Sequence, residues 1–167
     1  MQKYEFRYRK SDAYPFPGCI LGEEGDDFEK ALSDAPVAIK RLEIALEWLN
    51  LYRDALEEQE VSINLTEVLG FDPWRILQNE QKRVERAQQV CWKVKNGGYK
   101  HPQQALVMTY RALLDQQSRV KEIVEQIHIA HEHVEDYATE CGGYSLFDIE
   151  TARDWADICW TKKHPNC

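Results

Sequence analysis

At 167 residues, with 43% apolar and 30% charged, the chain is long enough to bury a core of its own and too apolar to be a disordered tail. Its formal net charge of −8 argues against direct nucleic-acid binding, which needs cationic surface to displace counterions, and suits a protein partner with a basic surface. No apolar run approaches the roughly 18 residues that read as a membrane span, and MQKYEFRYRK has no secretory apolar core, so a cytoplasmic protein with no membrane role is expected.

Residues 1–27 differ from the rest. Tyr4, Phe6 and Tyr8 alternate with Glu5, Arg7 and Arg9, a period of two. Tyr14-Pro15-Phe16-Pro17-Gly18 follows and excludes a helix, because each proline removes a donor and holds its predecessor extended. An extended N-terminal arm over 1–27 is expected, then one helical domain over 28–160 and a tail over 161–167.

The first long helix is expected from about Ala35 to Gln59, with Asp34 as N-cap and Pro36 in the first turn. Ile39, Leu42, Leu46, Leu49, Tyr52 and Leu56 form its apolar stripe, and Glu43, Glu47, Asp54 and Glu57 face mostly away. The connection 60–72 is apolar and holds one short turn that Thr66 would cap. Asp72-Pro73 opens a second helix that stops at Asn96-Gly97-Gly98, with Leu77, Val84, Ala87, Cys91 and Val94 as its stripe.

The third helix is expected as one unbroken rod from Pro102 to about Glu140. Leu106, Leu113, Val120, Ile127 and Val134 recur every seven residues, with Tyr110, Gln117, Val124, His131 and Ala138 interleaved. That is the a/d seam of a helix lying against other helices. Gln117 and His131 fall on the seam and are read as buried, hydrogen-bonded groups that fix register. At about 1.5 Å per residue the rod is roughly 58 Å long against about 36 Å for its antiparallel neighbour, so its end overhangs. The 60–72 segment, the last helix or a second copy of the chain must cover that end.

A fourth, shorter helix spans about Leu146 to Trp160, capped by Ser145 with Asp148 completing a capping box. Its inner face is read as Phe147, Ile149, Ala152, Trp155 and Cys159. The fold expected is therefore all-α: an antiparallel bundle of three long helices and a shorter C-terminal one.

Three constellations have chemistry in reach. Glu125-x-x-His128 has the spacing of helical di-metal carboxylate sites, but no second such pair occurs. Glu122-x-x-Glu125 and Asp154-x-x-Asp157 offer four hard oxygen donors that would suit Mg²⁺. The arrangement resembles the all-helical nucleotide pyrophosphatases, which pair an ExxE helix with an ExxD helix; Asp154 stands where that family has glutamate. That resemblance implies a Mg-dependent nucleotide pyrophosphohydrolase. Cys141, Cys159, His164 and Cys167 have the donor types of a zinc site in spacings that match no familiar finger. The five cysteines are odd in number and form no CxxC, which favours reduced thiols.

No complete catalytic set is present: no phosphate loop, GxSxG or HExxH. The reading preferred is a cofactor-free, non-catalytic acidic binding module: an intracellular inhibitor, immunity-type protein or accessory subunit on a basic, nucleic-acid-handling protein. Glu43, Glu47, Glu125, Glu132, Glu135 and Asp136 are its candidate contact residues. The alternatives are the Mg-dependent enzyme and a structural homo-oligomer joined through the overhanging third helix.

Overall fold

The computed structural model describes residues 22–165, with side chains from Phe28 onward. Among the described residues the chain is all-α, with no strand. Six helices follow one another: α1 (Gly22–Glu58), α2 (Leu65–Leu69), α3 (Pro73–Lys95), α4 (Pro102–His128), α5 (Ala130–Glu140) and α6 (Leu146–Lys163). The arm expected over 1–27 lies outside the described residues as far as 21, and 22–27 are helical. The described residues form two compact units. Unit 1 draws on residues up to Ile39 and on Gln78–Val120, and unit 2 on Lys40–Leu77 and from Lys121 on.

The α1 stripe is the one expected, but it starts earlier. Phe28, Ala31 and Ala35 are buried at steps of three and four before Ile39, Leu42, Leu46, Leu49, Tyr52 and Leu56. That earlier burial carries the helix back past Asp34, so Asp34 is not its cap. Pro36 lies inside α1 on an exposed face, where the carbonyl its missing donor leaves open can meet water. In unit 1, Phe28 lies 6.3 Å from the Tyr110 ring, and Gln117 donates Nε2 to the Ala31 carbonyl at 2.9 Å. Gln117 thus ties α4 to α1 by the hydrogen bond expected of it, although it is half-buried and not buried.

α2 is capped by Asn64, not Thr66: the Asn64 Oδ1 accepts from the Glu67 N–H at 3.3 Å. It ends on Gly70, whose φ of +83° is left-handed. Asp72 opens α3 as anticipated, its Oδ1 accepting from the Trp74 and Arg75 N–H groups at 3.1 and 3.2 Å. Trp74 then donates Nε1 to Asn50 at 3.0 Å under the Arg53 guanidinium, which ties this end of α3 to α1 in unit 2. Asp72→Ala should cost about 1 kcal/mol by loss of that cap. Urea denaturation checks it, and an unchanged midpoint would show the cap to be idle. α3 ends as read: Gly98 N–H reaches the Lys93 carbonyl at 2.8 Å and Gly97 N–H reaches Val94, with Gly97 at φ +72°.

The third rod is not continuous. Ile129, at φ −102° and ψ 9°, separates α4 from α5. No proline or glycine stands there, so local sequence carries no signal for it. Burial does not shift there. Leu106, Leu113, Val120 and Ile127 are buried on the heptad, and on both sides of the break the residue before the expected one lies inside, Gln116 rather than Gln117 and Ala130 rather than His131, which is half-buried. Val134 and Ala138 continue the buried line on α5. In unit 2, α5 packs against α2 and α6, so the chain itself covers the end of the seam.

Two polar side chains escape a reading based on apolar period. Glu80 and Gln116 in unit 1 are each only 1% exposed. Glu80 accepts from Arg83 at 2.7 and 3.1 Å and from Arg119 at 2.9 and 3.1 Å, joining α3 to α4.

Candidate functional site

α6 is the element whose surface departs most from what its sequence suggests. Ser145 caps it, accepting from the Phe147 N–H at 3.2 Å rather than from Asp148. The helix runs to Lys163, past the expected end at Trp160, with Lys162 and Lys163 in the last turn where they oppose the helix dipole. Ile149, Ala152 and Ala156 are its buried residues. Phe147 and Trp155, expected on that inner face, are 73% and 42% exposed. Small alanines, not the aromatics, lie inside, and they let α6 lie close to its neighbours.

Polar anchors hold α6 in unit 2. Trp48 donates Nε1 to Asp157 at 2.6 Å, and Trp160 donates Nε1 to the Ile44 carbonyl at 3.0 Å. His164 Nε2 meets Glu47 at 2.8 Å. Arg153 donates to Glu135 of α5 at 2.9 Å. Tyr52 stacks on Trp48 at 5.1 Å between centroids. Burial, with Glu135 and Asp157 nearby, raises its hydroxyl well above the ordinary tyrosine range, while Arg153 opposes that rise. Tyr52 therefore stays neutral.

With the inner face fixed, the outer face follows from helical geometry. Phe147, Thr151, Trp155 and Ile158 fall within about 80° of arc, roughly opposite Ile149, Ala152 and Ala156. Ile158 is 57% exposed, so this arc is an apolar stripe turned to solvent. Glu150, Asp154 and Asp157 run along one edge of it at steps of four and three. Beside that acidic edge is a cleft of about 610 Å³. Trp48, His128, His131, Arg153, Asp154 and Trp160 are among the residues that line it.

The carboxylates named from sequence separate into groups. Asp154 and Asp157 line the cleft, whereas Glu122 and Glu125 are exposed on α4 and do not. Among the described residues, no three histidine, cysteine, aspartate or glutamate side chains are grouped to hold a metal ion. Glu132 and Asp136 are exposed on α5, Glu135 is engaged by Arg153, Glu47 is engaged by His164, and Glu43 is half-buried. Cys141 is exposed and Cys159 half-buried, while Cys167 lies outside the described residues. Sequence reasoning missed Trp48, Arg153, Trp160 and the outward aromatics of α6. The available signal was that apolar residues spread over most of the α6 circumference outside its acidic edge, a pattern that does not choose an inner face.

No family model, curated protein or solved structure matches the chain. Among the described residues, no helix is long and apolar enough to cross a membrane.

Proposed function

We propose that the chain is a non-catalytic protein-binding module that docks through α6. The observation carrying this reading is the outward stripe of Phe147, Trp155 and Ile158, opposite a face already filled by Ile149, Ala152 and Ala156. Large aromatics exposed in line on a well-anchored helix are costly in water and form the usual core of an interface. The acidic edge of Glu150, Asp154 and Asp157 selects a partner whose apolar groove carries a basic rim. Glu132 and Asp136 are exposed on α5. An inhibitor, immunity-type protein or accessory subunit of a nucleic-acid-handling protein would use such a surface.

The test compares wild type with a Phe147→Asp/Ile158→Asp double variant as baits in extracts of the source organism. The captured protein is then purified and titrated. A basic partner whose affinity falls tenfold or more in the double variant is expected, with melting unchanged within about 3 °C, since exposed sites contribute little to stability. The same proteins on both baits would overturn the proposal. So would nucleotide hydrolysis that requires Mg²⁺ and is lost in Glu125→Gln. A wild-type dimer dispersed by the double variant, seen by sedimentation, would make the partner a second copy of the chain.

A further inference from the structure

Unit 1 contains a separate cleft of about 420 Å³, lined from α3 and α4, whose charge is opposite to that of the whole chain. Arg83, Arg86 and Arg119 border it, and Asp115 is its one acidic lining residue. Residues 78–120 as a whole contain eight basic and three acidic residues, on a chain of net charge −8. The buried Glu80 holds Arg83 and Arg119, so these two guanidiniums are oriented before any ligand arrives. Arg86 has no ion-pair partner among the described residues. Planar guanidinium forks match the oxygens of a phosphate group.

The second observation is independent of charge. Gln116 also borders this cleft, is 1% exposed, and has no hydrogen-bond partner among the described residues for either Oε1 or Nε2. Buried polar atoms are almost always paired, so an unpaired carboxamide beside a cavity marks a place where a partner is to be supplied. A carboxamide sets an acceptor beside a donor, which complements the donor–acceptor edge of a nucleobase. Ala87, Val90 and Leu113 give the same cleft an apolar wall on which a flat ring can lie. The volume falls in the range of small-molecule sites.

We propose that this cleft binds a nucleoside monophosphate. Arg86, with Arg83 and Arg119, takes the phosphate, and Gln116 takes the base edge. The site shares no residue with the α6 surface, so it stands or falls separately from the docking function.

Calorimetric titration of the full chain at low ionic strength tests it, using AMP, GMP, CMP and UMP, their nucleosides and inorganic phosphate as probes. At least one monophosphate should bind tenfold or more tightly than both its nucleoside and inorganic phosphate. Arg86 is exposed, so Arg86→Ala should fold normally and weaken that binding tenfold or more. Gln116→Leu should remove the preference among bases, and a raised melting temperature in this variant would confirm that it folds. No binding by any monophosphate at millimolar concentration would overturn the proposal. So would inorganic phosphate binding as tightly as the nucleotides, or unchanged nucleotide affinity in Arg86→Ala.

Discussion

Ile127→Asp is expected to cost more than about 4 kcal/mol, enough to unfold much of the protein at ambient temperature. Ile127 is fully buried in unit 2, in line with Ala130, Val134 and Ala138. Losing the isoleucine forfeits about 2–3 kcal/mol of apolar burial. The larger part comes from desolvating a carboxylate at a fully buried position, behind the wall of the α6 cleft and among Ala130, Val134 and Ala138. Desolvation raises the folded-state pKa of the introduced carboxyl above its unfolded value of about 3.9. The sign follows: the added penalty is absent below about pH 4 and grows as pH rises through the folded pKa. Urea denaturation at pH 4 and pH 7 should therefore show a smaller deficit at the lower pH. Ile127→Val, which keeps the site apolar, should cost only about 0.5–1.5 kcal/mol. Near-wild-type stability of the aspartate variant at pH 7 would mean that this face is not buried in the folded chain.

That residue also shows what sequence can and cannot reveal here. The seven-residue recurrence through Leu106, Leu113, Val120, Ile127 and Val134 is legible because burial of one helix face forces a period, and all five are buried. The break at Ile129 is not legible, since neither proline nor glycine marks it. Pro36 misled in the other direction. Its usual place is a first turn, yet Phe28, Ala31 and Ala35 already continued the buried stripe toward the N-terminus. In α6 the apolar residues spread over every side except the acidic edge, so their period does not choose between Phe147 and Ala156 as the buried one. Ser145, Asp72 and Gly97 were readable because a cap is a short-range contact between a few backbone groups and one side chain. Glu80 and Gln116 were invisible for the converse reason. A polar residue is buried only when partners distant in sequence, such as Arg119 for Glu80, or an unfilled need, as at Gln116, decide its place.

The Glu80 cluster makes the other large prediction, and it turns on which partner is desolvated. The Glu80 side chain is 2% exposed, whereas those of Arg83 and Arg119 are 52% and 45% exposed. The burial penalty therefore falls almost wholly on the carboxylate. Removing one arginine leaves Glu80 two hydrogen bonds to the other, and should cost about 1–2 kcal/mol. Removing both, as Arg83→Ala/Arg119→Ala, strands a buried charge and should cost about 3–5 kcal/mol. That exceeds the two single costs added together, because each arginine covers in part for the other. Glu80→Met removes the charge itself and returns two half-exposed guanidiniums to water, so it should cost less than the double arginine change and lie within about 1–2 kcal/mol of wild type. Chemical denaturation of all four variants reads the ordering directly. If Glu80→Met proved as damaging as the double arginine variant, direct attraction across α3 and α4 would outweigh the cost of burying the carboxylate.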